Sequence, residues 1–296
     1  MDYINELKKQ NITFNLLDEQ QAINIIKKEY SYYKLMSYSC LFEKYKQTNK
    51  VGQFVNLDFS QLYYLALIDS QLSKILMIMC LEIENAIKTR LMFDAEMICD
   101  TKTLLQEYYD NENEFIDMNY TAENNDLINE YKNMVSIQEL SLNEFLDVIQ
   151  FGTLERFVHF FYKKYSNELC CESFYSVEFR LSSVRRIRNI VAHNNSFISR
   201  IVEETEYKDL KLSSFLGSKG VKNRSLTTNM SKKIVSDFCG VMDVYFRLVE
   251  DKSIIIDFKD FDINYCLKYK NCFEKNDKIL SFYNFVKTVI EIYNRY

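Results

Sequence analysis

One short run carries most of the reactive side chains of this sequence: Arg185-Arg186-Ile187-Arg188-Asn189-Ile190-Val191-Ala192-His193-Asn194-Asn195. Within it, Arg188-Asn189-x-x-x-His193 holds one of the two histidines in the chain. Arginine grips a phosphate as a planar, permanently charged fork. Histidine titrates near neutrality and can move a proton to or from a ribose oxygen. On a helix the two lie within about one and a half turns. Both could serve one phosphodiester bond, in one subunit or across two.

The elements around the run decide how these groups are aimed. Residues 174–193 predict a helix, because Val177, Leu181, Val184, Ile187 and Val191 recur at helical spacing. Projection at about 100° per residue puts Arg186, Asn189 and His193 on the opposite side. Arg188 projects close to the apolar stripe instead. It cannot shed its charge, so it needs a partner or a cleft. Residues 62–93 predict a long central helix through Ile68, Leu72, Ile75, Met79, Ile83 and Ala86, with Leu76 and Ile78 carrying the apolar surface almost all round. Glu84 and Lys88 sit four apart on one face of it. Glu84 or Glu82 is therefore the natural partner of Arg188; the alternative is that Arg188 faces a second subunit. Glu84 and Lys88 are either a plain surface pair or auxiliary to the site.

Other segments are less informative. Residues 94–140 are acidic and poorly periodic, a mix of short helices and loops. Residues 140–150 regain helical character, Gly152 marks a break, and Leu154, Phe157, Val158, Phe161 and Tyr165 make a further stripe. His159 on that helix has no arginine at the right spacing and reads as a packing or surface histidine. Residues 203–230 read as a Gly-containing basic loop, and 229–250 and 277–295 as carboxy-terminal helices. The whole chain, 1–296, is expected to form one all-α unit, with a core bundle over about 60–200 and the carboxy-terminal helices of 229–296 packed on it.

Composition narrows the function classes. The chain has no proline, no tryptophan and five glycines, a bias that AT-rich coding explains. Its eight cysteines show no C-x-x-C and no histidine companions, so they read as reduced thiols and no zinc site is expected. No Gly-rich phosphate loop appears, so nucleotide triphosphate hydrolysis is not expected. The first residues lack the basic and apolar regions of a signal peptide, and the longest apolar run, Ile75 to Leu81, is short for a membrane span. A cytoplasmic protein without cofactor or metal is the expectation. Net charge is −5 but unevenly spread. Residues 94–147 hold fourteen carboxylates against two lysines, whereas 180–233 hold twelve Lys and Arg against four Asp and Glu. A basic segment centred on the motif is the footprint a polyanion needs. Its candidate contacts are Arg185, Arg186, Arg200, Lys219, Lys222 and Arg224.

The motif Arg188-Asn189-x-x-x-His193 resembles the signature of HEPN domains (higher eukaryote and prokaryote nucleotide-binding), many of which are metal-independent ribonucleases. Further blocks are similar to the bacterial abortive-infection Abi family of the AbiD/AbiF type: Tyr33-Lys34-Leu35 through Tyr38, Leu81-Glu82-Ile83-Glu84-Asn85-Ala86-Ile87-Lys88-Thr89, and Phe151-Gly152-Thr153-Leu154. Ser196, Ile198 and Ser199 depart from the family pattern after the histidine, and Arg200 keeps it. The resemblance implies a HEPN-type helical bundle and an endoribonuclease toxin of an abortive-infection or toxin–antitoxin system. It implies Arg188 at the phosphate, His193 as general acid or base and Asn189 as their orienting neighbour, with 2′,3′-cyclic phosphate products. A homodimer would supply two such sets. RNA is the implied substrate, and a structured noncoding RNA the implied antitoxin. The alternative is a catalytically silent RNA-binding protein.

Overall fold

Without proline, little in the sequence stops a helix once it has started. The computed structural model describes residues 3–47, 49–112, 140–167, 177–205 and 209–295, and these are helical almost throughout. In chain order the helices are α1 (Tyr3–Lys9), α2 (Glu19–Lys28), α3 (Tyr32–Ser37), α4 (Phe59–Ile98) and α5 (Thr101–Glu112). Then come α6 (Leu142–Val148), α7 (Phe151–Lys164), α8 (Leu181–Ala192), α9 (Leu210–Ser218) and α10 (Asn223–Met230). The last are α11 (Lys233–Leu248), α12 (Ile254–Phe261) and α13 (Asp277–Tyr293). Two short strands, β1 (Ile12–Thr13) and β2 (Leu57–Asp58), pair in parallel, Ile12 opposite Leu57.

The central helix is longer than its apolar period predicts. Asp58 caps it, accepting from the Ser60 N–H at 3.0 Å while its own N–H donates to Gln61 at 2.9 Å. This reciprocal cap fixes the start of a forty-residue helix about 60 Å long. No glycine or proline lies within it, and it ends where Cys99 turns extended. By length and composition α4 is apolar enough to cross a membrane, which the short run Ile75–Leu81 does not reveal. Half of its most apolar window is buried inside the fold, against α8, α11, α12 and α3. The apolar cover is not complete on every side: Leu76 is buried, but Ile78 and Leu81 are exposed.

α8 and α11 complete the core with α4. α8 and α11 approach closely at Gly240, where an added Cβ would sit 3.0 Å from Ser183 Cβ. α7 packs on α8, and α10 and α13 pack on α11. The carboxy-terminal helices thus hold the motif helix directly.

Two expectations need correcting. Residues 203–230 are not a basic loop: α9 and α10 occupy most of them, with Leu212, Leu216 and Leu226 buried at helical spacing. The glycines misled, because of Gly217 and Gly220 only the second takes a positive φ, at the turn between the two helices. The break before α7 falls at Ile149 and Gln150, both extended, and Gly152 lies inside the first turn of α7. Residues 113–139 of the acidic segment, residues 174–176 of the expected motif helix, and Cys170 and Cys171 lie outside the described residues.

Candidate active site

α8 ends by a complete carboxy-terminal cap. The Asn195 N–H donates to Ile190 O at 3.0 Å and the Asn194 N–H to Val191 O at 3.1 Å. Asn194 takes the left-handed conformation (φ 50°) that this motif requires. His193 is the capping residue, exposed at the helix end. Asn189, one turn earlier, is exposed as well.

Arg188 lies elsewhere on the helix, as its projection predicts. Its Nε is 3.6 Å from Glu84 Oε2 on α4, too long for a hydrogen bond. Both atoms are buried, and neither has a hydrogen-bond partner among the described residues. Glu84 Oε1 takes Lys88 Nζ at 3.0 Å. Glu84 therefore backs Arg188 and pairs with Lys88, while Glu82 is engaged by the Tyr245 hydroxyl at 2.6 Å. The Arg188 side chain is 35% exposed. Its terminal nitrogens bond to nothing among the described residues, so the open end of the fork faces solvent. Cys80 lies beneath this group. Burial pushes its thiol up to about 12, against the pull of Arg188.

No side-chain bond joins Arg188, Asn189 and His193 among the described residues. One chain presents an arginine on one flank of α8 and an imidazole at its end. The arrangement can bind a phosphate and move a proton, but the two groups do not converge on a shared partner within the chain.

A buried carboxylate that the sequence pattern did not single out secures the turn after His193. Asp69 of α4 is fully buried. It accepts from the Phe197 N–H at 3.0 Å, the Ile198 N–H at 2.6 Å and the Tyr38 hydroxyl at 2.9 Å. Lys34 Nζ reaches Asp69 at 3.3 Å and the Asn194 carbonyl at 2.9 Å. Burial pushes the Asp69 carboxyl up from the usual range, and Lys34 and the Ile198 N–H pull it back down. The signal was a lone carboxylate on an apolar helix, the same argument that singled out Glu84. Ile198, one of the departures from the family pattern, is buried in the core here.

The remaining candidate cations fall in different places. Arg186 does not stay with Asn189 and His193: its guanidinium donates to buried Asp237 at 2.9 and 2.5 Å, and Ser183 shares that carboxylate at 2.9 Å. The need of Asp237 for donors outweighs the solvation of Arg186. Arg185 Nε pairs with Glu155 of α7 at 2.8 Å, and Arg200 with Glu203 at 3.4 Å. Lys219 caps the end of α9, and Lys222 and Arg224 stand at the start of α10, in a separate cleft. His159 is exposed and bonded to Glu178, a surface histidine. Among the described residues no three His, Cys, Asp or Glu side chains gather as metal ligands.

The blocks singled out in the sequence converge on α8. Lys34 of the first block bonds the Asn194 carbonyl, Glu84 of the second lies against Arg188 and Gly152 of the third approaches Arg185, while Asp69 and Glu155 lie outside the blocks. A family model described as Abi-like protein matches residues 26–199, which contain all of these residues. No curated protein and no solved structure matches the chain.

Proposed function

This chain belongs to the Abi-like protein family, which points to an abortive-infection role, and we propose that it is a metal-independent endoribonuclease of the HEPN type, close to AbiD and AbiF proteins. The observation that carries the reading is the state of Arg188. A guanidinium whose inner nitrogen is buried against Glu84, with its terminal nitrogens left open, is a preset phosphate fork. His193, exposed on the same helix, is the proton-transfer group.

In the proposed reaction the ribose 2′-oxygen attacks the adjacent phosphorus. The O2′–P bond forms as the P–O5′ bond breaks. One imidazole takes the 2′-hydroxyl proton and a second protonates the departing 5′-oxygen. Arg188 stabilises the charge on the phosphoryl oxygens, and Asn189 orients the backbone at the helix end. One chain offers one His193, so two copies of the chain supply acid and base in a homodimer. RNA is the substrate, and a structured noncoding RNA the controlling partner, in the cytoplasm.

The separation of Arg188 from His193 within one chain favours a second reading, a silent RNA-binding protein. The deciding experiment incubates purified protein with single-stranded RNA in EDTA and identifies the ends. Cleavage leaving 2′,3′-cyclic phosphate and 5′-hydroxyl supports the nuclease. RNA affinity retained by wild type and His193→Ala alike, without cleavage by either, leaves the silent binder. Activity that appears only with added magnesium sinks the metal-free mechanism.

A further inference from the structure

The first of the sequence blocks that meet α8 carries no group in the proposed reaction. Its contact with the motif is Lys34 of α3, whose side chain is only 12% exposed. An ammonium is costly to take out of water and is rarely buried unless it is paired. Two acceptors hold this one. Fully buried Asp69 of α4 takes it at 3.3 Å, and the carbonyl of Asn194, directly after His193, takes it at 2.9 Å. The chain on either side of Lys34 is anchored by other means. Leu35 and Tyr38 are buried, and Ser31 caps α3 by accepting from the Lys34 N–H at 3.2 Å. The fold around α3 thus has supports that do not involve the ammonium.

Asn194 is the point at which the chain reverses, in the left-handed conformation (φ 50°) that costs an L residue energy. The N–H groups of this reversal bond back to α8: His193 to Asn189 O at 3.2 Å, Asn194 to Val191 O at 3.1 Å and Asn195 to Ile190 O at 3.0 Å. The carbonyl of Asn194 points the other way and is taken by Lys34. Three residues on, the Phe197 and Ile198 N–H groups donate to Asp69. Lys34 thus ties the peptide next to His193 to the same buried carboxylate that holds the rest of the turn.

We propose that Lys34 is the positioning residue of His193. It fixes the Asn194 peptide, and through it the direction in which the imidazole leaves the end of α8. The imidazole forms no hydrogen bond of its own among the described residues, so its aim depends on the backbone that carries it. Helix ends fray unless groups outside the helix secure them, and α3 supplies such a group here. The inference rests on the reading of His193 as the proton-transfer group. It gives the first block a part in the same site: Arg188 is backed by Glu84 of α4, and His193 is aimed by Lys34 of α3.

The test reads the imidazole directly. The chain has two histidines, His193 and, on α7, His159, so the imidazole NMR spectrum of the full chain has two signals, assigned with His159→Gln. Lys34→Met keeps the stem and removes the ammonium. It should move the His193 signal towards that of free histidine, leave the His159 signal in place, and speed hydrogen exchange at the Asn194 and Asn195 amides by roughly tenfold or more. Lys34→Arg, which can still donate to both oxygens, should restore both readouts. Lys34→Met leaves Asp69 three donors but no cation, so Lys34→Met/Asp69→Asn, which removes both charges, is measured beside it. The same loss of order at His193 with native circular dichroism separates positioning from unfolding. In a cleavage assay on single-stranded RNA, Lys34→Met should lower kcat by about 10–100-fold with KM within about twofold, because a misplaced group loses rate rather than binding. A His193 signal unchanged in both Met variants overturns the proposal whether or not the chain cleaves RNA. So does a signal that moves while the Asn194 and Asn195 amides keep their protection, which reports lost charge alone. A raised KM with unchanged kcat overturns it as well and makes Lys34 a phosphate contact. A disordered His193 in the variant of a chain that cleaves nothing supports the positioning and removes the nuclease reading alone.

Discussion

The two ends of α8 are held by opposite means. At the amino-terminal end, polar groups are buried and matched. Arg180 bonds Asp209 and Asp243 at 2.8 Å each, and Asp243 also takes Arg247 at 2.9 Å and the Tyr293 hydroxyl at 3.1 Å. Half a helix further on, Arg188 rests against Glu84 without a hydrogen bond, and Asn189 and His193 are open to solvent. An arginine stands at each place. The saturated network ties α8 to α9, α11 and α13 and has no spare valence for a ligand. At the other end the backbone is secured by the cap and by Asp69, while the side chains of Asn189 and His193 stay open to solvent. In this helix the polarity at the start is satisfied, and the polarity left idle near the end is what the proposed site would use.

The comparison breaks most readily at Arg180. Arg180→Ala takes one charged donor from buried Asp243, which keeps Arg247 and Tyr293, and leaves Asp209 unpaired from α8; it should lower unfolding free energy by about 2–3 kcal/mol, read from denaturant midpoints. A smaller effect would mean that the network is loose. Gly240→Ala presses a methyl into Ser183 and should cost about 1–3 kcal/mol in the same assay. Arg188→Ala should cost under about 1 kcal/mol, because Glu84 keeps Lys88 and the guanidinium is partly exposed. Yet it should reduce RNA cleavage by about 100-fold or more, as removal of a transition-state donor does. His193→Ala should leave stability within about 0.5 kcal/mol and abolish cleavage. If either variant unfolds the protein, that end of α8 is structural after all. The smallest effect concerns salt. Charge reversal at Lys219, Lys222 and Arg224 should reduce the slope of log RNA affinity against log salt by roughly one unit or less for each phosphate left without its cation. Equal slopes would move the RNA surface onto α8 itself.

Much of the site was legible because helical projection is simple geometry. The position of Arg188 near the apolar stripe of α8 demands a partner, for which Glu84, Glu82 or a second subunit are the choices, and within the chain it is Glu84 that lies against it. The same geometry failed for Arg186. Projection places it beside Asn189 and His193, but it cannot show that Asp237, fifty-one residues later, is buried nearby and short of donors. Asp69 escaped notice for the reverse reason: its partners are backbone N–H groups of the turn after His193, and a sequence does not display which amides will lack partners.

The sequence by itself determined the all-α class, the stripe of α8 and the presence of a central α4, through period and the absence of proline. It also placed the reactive types, because side-chain chemistry is local. Only the tertiary structure decided which arginines are engaged and which are idle. Pairing depends on carboxylates brought from α4, α7, α11 and the start of α9, and their desolvation exists only once the helices have packed. The folding of residues 203–230 belongs to the same class. Leu212, Leu216 and Leu226 have an apolar surface to bury only because α11 and α13 are there to receive it.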